Sequence, residues 1–546
     1  MKTFFKITFI AFLFLPELGF GQTAKYLILF KDKVGTPFTI AQPQQFLSQR
    51  SINRRLKQNI AITTKDLPVN PNYLTQIRQT GANVWFSSRW LNAALVQADT
   101  LQLTAIKKLS FFKSVEFNKL LANARIAGGN DLKNKFGTEA LDYGSSVTQI
   151  QMLGVDVMHD KGFHGEGMLI GILDAGFQNS NTNSAMAPIF AENRVVATYD
   201  FVKKETSVYE DDSHGNNVFS IMSSYLPTSL IGPAYKASYA LIRTEDAVTE
   251  TRVEEANWLF GAEYADSLGV DVINSSLGYS EFDNPADNYV YANMDGKTTL
   301  ITRAADWAAG VGMVVVASAG NEGANTWKYI TAPADADSIL AVGAVNGFQA
   351  IGSFSSFGPS ADGRVKPDVA AMGVSTVLSS PANNVVIGSG TSYSSPLIAA
   401  LAAGFWQAYP YLTAIQVIDC IKKAGSIYSS PNTRIGYGIP TFARAAVIAE
   451  TQYALLSCCV PLQFDKVNIY PNPVIDDITI QFSDAQIGKS AFVQILNLSG
   501  QSLYQGSLAI LDKNQNWKLP ISLPSGSYLL LIQNNTMDQS VKFIKE

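Results

Sequence analysis

The chain has 546 residues, too many for one compact core, so two to four domains are expected. Hydrophobic residues make up 47% and charged residues 16%, which excludes a disordered chain; a net charge of −4 gives no reason to expect nucleic acid as a partner. That total hides an asymmetry: residues 22–140 carry 17 basic against 6 acidic residues, a net +11, whereas 141–450 carry 16 against 31, a net −15.

At the N-terminus Lys2 and Lys6 precede an apolar stretch at 7–15 that Pro16 breaks, and Gly19 and Gly21 sit where a signal peptidase cuts. A secretory signal over 1–21 is expected, with cleavage after Gly21. Its apolar stretch is too short for a bilayer core that needs ~20 residues, and no other segment reads as membrane-spanning. The run at 396–406 reads instead as a buried helix. Next, 26–30 is a strand-like apolar run, 46–56 is basic and helix-compatible, 67–72 is a turn with Pro and Asn, and alternation at 84–86 and 93–96 suggests further strands. These make a small α+β unit. Ala127-Gly128-Gly129-Asn130 and the polar stretch up to Gly144 read as an exposed linker.

From about residue 150 buried strand-like runs at 168–173, 240–243, 270–275, 313–318 and 339–342 alternate with helical stretches such as 250–267 and 304–309. That is the pattern of a parallel sheet with helices on both faces, an α/β fold. After Cys458-Cys459-Val460-Pro461 the style changes again. Alternating runs at 478–482, 492–496 and 528–532, separated by Gly, Asn and Ser turns, read as a small all-β sandwich. Cys420 can pair with Cys458 or Cys459, leaving one thiol over, and the cysteine spacing fits no metal site.

Three motifs carry chemistry. Ile172-Leu173-Asp174-Ala175-Gly176 is an apolar strand ending in a carboxylate and a turn. Asp212-Ser213-His214-Gly215 leads into a helix whose buried face is expected to hold Val218, Ile221, Met222 and Tyr225. Gly388-Ser389-Gly390-Thr391-Ser392 stands just before a helix over 393–406. Acyl transfer needs such a set: a serine hydroxyl is a weak nucleophile until an imidazole takes its proton, and a carboxylate must hold that imidazole in the right tautomer. A serine at a helix N-terminus also lies beside free backbone N–H groups that can stabilise an oxyanion. Alone, each motif has a plainer explanation, since a strand-end Asp is usually a turn residue and a single His usually structural. His159 and His164 lie in a polar segment, Ser389, Ser394 and Ser395 are rivals to Ser392, and only the three motifs in the order Asp, His, Ser make the case.

With these motifs the segment from Gly162-Phe163-His164-Gly165 to Gly438 resembles a subtilisin-type serine peptidase, a subtilase. The resemblance implies a secreted endopeptidase with Asp174, His214 and Ser392 as catalytic triad. Ser318-Ala319-Gly320-Asn321-Glu322 resembles the family's oxyanion segment, with Asn321 as side-chain donor. Ser275-Ser276-Leu277-Gly278 resembles the substrate-binding edge strand, so Ser276, Leu277 and Gly278 on one side, and Ala319 and Gly320 on the other, are expected to bind substrate. Lys366-Pro367-Asp368-Val369-Ala370-Ala371 resembles the segment before the serine motif. Met372 stands where the family has proline, Tyr393-Ser394 replaces Met-Ala, and Leu397 replaces a frequent histidine, all of which bear on specificity.

The flanks have resemblances too. Residues 22–140, linker included, are placed like a subtilase propeptide, a folding aid and inhibitor. Asn468-Ile469-Tyr470-Pro471-Asn472-Pro473, Val493-Gln494-Ile495-Leu496-Asn497 and Leu523-Pro524-Ser525-Gly526-Ser527-Tyr528 resemble the C-terminal sorting domain of type IX secretion. The expected layout is a signal at 1–21, propeptide at 22–140, peptidase at 141–455, linker at 456–463 and sorting sandwich at 464–546. Expected partners are protein or peptide substrates, the chain's own propeptide and the secretion machinery. No cofactor is expected in the chemistry. Subtilases often bind structural calcium, for which Glu210-Asp211-Asp212 is the acidic candidate, without a recognisable ligand loop. The competing reading is a non-catalytic surface binding protein on the same scaffold.

Overall fold

A computed structural model describes residues 23–121, 141–453, 467–482, 486–497, 502–534 and 537–546. The expected signal and its cleavage after Gly21, the linker motif beginning at Ala127, the linker over 456–463 and the Cys458-Cys459 pair lie outside these residues. The chain divides into two compact units, Met1–Tyr453 and Ala454–Glu546.

The first unit opens with β1 (Ala24–Phe30), α1 (Gln49–Lys57), α2 (Pro71–Gln79), β2 (Asn83–Ser88), β3 (Ala93–Ala98), α3 (Thr100–Ile106) and β4 (Phe112–Val115). The helices start on residues that suit helix starts: Ser48 accepts from Ser51 N–H, Asn70 precedes Pro71, and Asp99 forms a capping box with Gln102. The strands form an antiparallel sheet in the order β2-β3-β1-β4. Period-two alternation sends Ile28, Ala94 and Val96 to the face covered by Ile77 of α2 and Ile106 of α3. Leu27, Ala93 and Leu95 face the other way, into a core shared with the large domain.

That domain begins with α4 (Val147–Met152), α5 (Val155–Asp160), β5 (Leu169–Asp174), α6 (Ala187–Ala191), β6 (Val195–Asp200) and α7 (His214–Ser223). It continues through the short β7 (Tyr225–Leu226) and β8 (Leu230–Ile231) to β9 (Ser238–Arg243), α8 (Val253–Leu268), β10 (Val272–Ser275), α9 (Leu300–Gly310) and β11 (Val314–Ser318). It closes with β12 (Leu340–Val345), β13 (Val369–Met372), the hairpin β14 (Thr376–Ser379) and β15 (Val385–Gly388), then α10 (Thr391–Ala408), α11 (Ala414–Lys423) and α12 (Phe442–Ile448). Seven strands pair in the order β13-β12-β11-β10-β5-β9-β6, every pair parallel. Burial on both faces explains why β5, β11 and β12 read as unbroken apolar runs. One face packs on α7 and the central α10, the other on α8 and α9. After β9 the chain crosses to the far side of β5, and in open parallel sheets ligands bind beyond the carboxyl ends of strands at such a switch.

The α/β expectation holds, with differences of detail. Tyr225, expected on the buried face of α7, lies past the helix in β7, because α7 ends at Ser223. The half-buried β6, β13 and the β14–β15 hairpin were not among the expected strands. Among the described residues no helix is long and apolar enough to cross a membrane.

The second unit is all β. Here β16 (Asn468–Tyr470), β17 (Asp477–Gln481), β18 (Ser490–Asn497), β19 (Ser502–Ala509), β20 (Asn514–Lys518), β21 (Gly526–Asn534) and β22 (Met537–Lys545) form antiparallel sheets ordered β16-β17-β20 and β19-β18-β21-β22. Their inward residues, including Ile478, Ile480, Val493, Ile495 and Leu530, make a core of their own.

Candidate active site

Asp174 is the last residue of β5 and is wholly buried. Its Oδ1 accepts from Ala175 N–H at 2.8 Å and from His214 Nδ1 at 2.7 Å. His214 is the first residue of α7, and its own N–H donates to Asp212 Oδ1 at 2.7 Å, an acidic partner favoured at a helix N-terminus. Gly215 lets the helix start approach the turn after β5, since a Cβ there would lie 2.3 Å from the Gly176 carbonyl oxygen. Burial works against a charged imidazole, but the Asp174 carboxylate outweighs it, with Glu245 and Asp212 adding to the effect, and the pKa of His214 is raised to about 9.

Ser392 is the second residue of α10 and nearly buried. Pro396 lies inside this helix and has no N–H for the carbonyl four residues earlier, which is that of Ser392. Ser276 supplies the missing donor: its Oγ donates to the Ser392 carbonyl at 2.9 Å, and Ser392 Oγ donates back to the Ser276 carbonyl at 3.2 Å. Behind this pair, Ser395 Oγ donates to Asn274 Oδ1 at 2.8 Å and Asn274 Nδ2 donates to Ser276 Oγ at 3.0 Å. The Ser392 hydroxyl thus rests on the Ser276 carbonyl. His214 and Ser276 line one cavity, and the ring of Tyr393 stacks near His214 at a centroid separation of 6.1 Å.

Asn321 follows β11, with Ala319 and Gly320 between. Its Oδ1 accepts from both the N–H and the hydroxyl of Thr391, each at 2.9 Å, so the amide oxygen is fixed to the start of α10 and its Nδ2 hydrogens remain as donors. The chain at 276–278 and at 319–320 leaves the ends of the neighbouring β10 and β11. Between them stands Thr331, which sequence reasoning missed. Its Oγ1 is buried without a partner and lies 2.3 Å from a Cβ built on Gly278 and 2.8 Å from one built on Gly320, which has φ +105°. Both glycines are needed for that approach.

The structure also places the rivals. Ser389 Oγ accepts from Ser375 N–H, Ser394 Oγ donates to the Thr391 carbonyl, and His159 is buried between the Tyr143 hydroxyl and the Pro233 carbonyl. His164 pairs with Glu166. Leu397 is core, and Met372 ends β13 with its carbonyl accepting from Thr376. In the acidic run, Asp211 pairs with Lys203 and Arg243, Glu210 accepts from Ser207, and Asp212 holds His214 N–H, so each carboxylate has a partner within the protein. Among the described residues no group of three or more His, Cys, Asp or Glu is arranged to hold a metal. Cys420 is buried in α11, where burial pushes its thiol up to about 12. Asn274 and the carboxylates Glu245 and Glu250 near His214 carried no sequence signal, because they meet the site only through the fold, and Ser395, noted as a rival nucleophile, proves to be bonded to Asn274.

Comparison with known proteins finds three family models along the chain: a peptidase S8 propeptide domain of Bacteroidota at 25–133, the subtilase family at 165–438 and a secretion system C-terminal sorting domain at 468–546. Subtilisin DY of Bacillus licheniformis is 31% identical over 279 residues, 51% of this chain and 90% of its own length. Subtilisin NAT of Bacillus subtilis subsp. natto is 28% identical over 374 residues, 68% of this chain and 84% of its own length. A thermophilic serine proteinase of Bacillus sp. (strain AK1) is 29% identical over 275 residues, 50% of this chain and 60% of its own length.

Proposed function

The chain belongs to the subtilase family of serine peptidases, and from that premise we propose that Ser392 attacks peptide carbonyls while His214 takes its proton and Asp174 orients the imidazole. The 2.7 Å bond between Asp174 Oδ1 and His214 Nδ1 carries this reading, because it fixes the tautomer that leaves Nε2 as the base. As the Oγ–carbon bond forms, the carbonyl electron pair moves onto oxygen, where Asn321 Nδ2 and the Ser392 N–H stabilise it. The imidazolium then gives its proton to the leaving amine, the C–N bond breaks, and water attacks the acyl-enzyme with His214 again as base. An extended substrate lies along 276–278 as an added strand, with 319–320 forming the opposite wall. This chemistry calls on no cofactor.

The N-terminal α+β domain acts as folding aid and inhibitor until cleavage within the chain releases it. The sorting domain at 468–546 marks the protein for secretion through the type IX system. A fluorophosphonate probe, which labels only an activated serine, tests the assignment together with Ser392→Ala. Labelling should map to Ser392, and the variant should fold yet lose ~10⁶ in peptidase activity if the triad works as a unit. Activity within tenfold of the parent would sink the assignment and direct attention to Ser389 or Ser394.

A further inference from the structure

The cleft beside His214 opens into a cavity of about 460 Å³, lined on one side by His214 and Asp212, by 276–278, and on the other side by Glu245, Glu250 and Asp283. Glu250 and Asp283 are tied by backbone bonds, Glu250 N–H to Asp283 Oδ2 at 3.2 Å and Asp283 N–H to the Glu250 carbonyl at 2.9 Å. Glu245 accepts from the Tyr279 hydroxyl at 3.3 Å. Glu254, coupled by charge to Glu245 and Glu250, is wholly buried and its Oε2 has no partner. The two arginines nearest in sequence are engaged elsewhere: Arg243 with Asp200, Asp211 and Asp246, and Arg252 with Glu255. Among the described residues no lysine or arginine lies within ion-pair distance of Asp212, Glu245, Glu250, Glu254 or Asp283. Burial and the neighbouring carboxylates push Glu245 up to about 7, with the His214 imidazole partly offsetting them, and push Glu250 up to about 8. Glu245 and Glu250 are half-buried at the cavity wall, where water screens them less than at an open surface, and a positive group entering the cavity lowers their mutual repulsion.

We propose that this acidic wall is a specificity site that receives a lysine or arginine side chain of the substrate. The proposal rests on the triad assignment, since the site faces the same cleft. At ~3.3 Å per residue, a peptide along 276–278 brings a side chain within about three positions of the scissile bond into the cavity. Glu245 and Glu250 are its specificity-determining residues, and Glu254 adds field from behind.

The test uses the self-processed protein and peptides identical except for Lys, Arg, Gln, Leu or Glu at each of three positions on either side of one cleavage point, with products read by mass spectrometry. At one position Lys and Arg should raise kcat/KM over Gln by ~10- to 100-fold, with Glu poorest. That ratio should shrink several-fold between about 0.05 and 0.5 M salt. In the Glu245→Gln, Glu250→Gln double variant the Lys-to-Gln ratio should fall to within about threefold of unity. Glu250→Gln alone, at the partly exposed rim, should lower it by an intermediate factor and guards against a double variant that does not fold. Absence of a cationic preference, or its survival in a folded variant, overturns the site. Fluorophosphonate labelling of the same samples separates the two failures. Labelled but unselective protein refutes the site and leaves the nucleophile standing, whereas protein that neither labels nor cleaves refutes both.

Discussion

In the proposed mechanism two residues beside Ser392 decide when and how well it reacts. The amide oxygen of Asn321 is spent on Thr391, which leaves its N–H₂ free for the proposed role toward charge that appears only in the transition state. Asn321→Ala should therefore lower kcat by ~10²–10³ with little change in KM. A large rise in KM at constant kcat would make Asn321 a substrate-binding residue instead. His214 sets the pH dependence. Its raised pKa means that the base form becomes available only as pH climbs, so kcat/KM should rise along a limb whose midpoint lies above the ordinary 6.5 and toward 9. The Asp174–His214 pair stabilises the fold fully below the unfolded value near 6.5, and that contribution is lost as pH rises through about 9. A kinetic midpoint at or below 6.5 in a pH–rate series would remove this account of the pair. At this scale the Asp174–His214 pairing was legible, because each residue sits in a short motif, one at a strand end and the other at a helix start. The support network was not: Ser276 and Ser395 were noticed for other reasons, but their bonds to Ser392 and Asn274 span separations of up to 121 residues, and Thr331 enters only through two glycines that admit it.

Between elements, α1 docks on α8 through a buried ion cluster. Arg54, Arg55 and Arg89 all reach the Asp266 carboxylate, Arg50 pairs with Asp271, and Glu263 accepts from the N–H groups of Arg89 and Trp90. Burial opposes the charge of Asp266, but Arg54, Arg89 and Arg55 outweigh it and hold its carboxyl well below the usual range. Its stabilising effect is thus present above the ordinary carboxylate pKa and lost only in stronger acid. Asp266→Asn leaves the buried Arg54 and Arg89 guanidiniums without their carboxylate while Arg55 keeps Asp66, at a cost of ~3–5 kcal/mol, so residues 22–140 added in trans should dissociate from the variant at least a hundredfold faster. The +11 and −15 charges of the two regions act over longer range, on association. The on-rate should fall as salt shortens the Debye length from ~10 Å at 0.1 M, while the buried cluster keeps the off-rate nearly constant. Binding unchanged in Asp266→Asn would mean that apolar contacts such as Leu27, Trp90 and Leu95 hold the docked domain. The basic character of 46–56 was visible in sequence, but not which cations meet carboxylates: Arg50, Arg54 and Arg55 do, as does Arg89, which no pattern marked. Strands showed themselves by apolar runs where the run is long and both faces are buried, as in β5 and β11, whereas the four-residue β13 and β14, also buried throughout, were too short to stand out. The edge strand β6 gives way to Thr198 and Asp200 after Val195 and Val196, and β15 is a three-residue apolar run, Val385 to Ile387, left largely exposed, so neither stood out as a core strand.

For the molecule as a whole, separate cores imply separate tasks. Residues 467–546 bury Val474, Ile478, Ile480, Val493, Ile495, Leu530 and Phe543 among themselves, on sheets whose strands pair only with one another. The first unit completes its own seven-stranded sheet and both flanking layers before Tyr453. Burial at ~25 cal/mol per Å² of apolar surface is the main term stabilising each unit, and neither sheet borrows a strand from the other. Removing the C-terminal unit should therefore leave the peptidase fold intact while deleting the feature that the secretion system reads. A chain ending at Tyr453 should mature, label with fluorophosphonate and cleave peptides at the parent rate, but accumulate in the periplasm when expressed in its native host. Joining the sequence from Ala454 onward to an unrelated exported protein should carry that protein to the outside. Fractionation with activity measured in each compartment reads both outcomes. Loss of soluble, active peptidase from the shortened chain would show that the β unit supports the catalytic fold, and a passenger left in the periplasm would show that 454–546 is not a sufficient address.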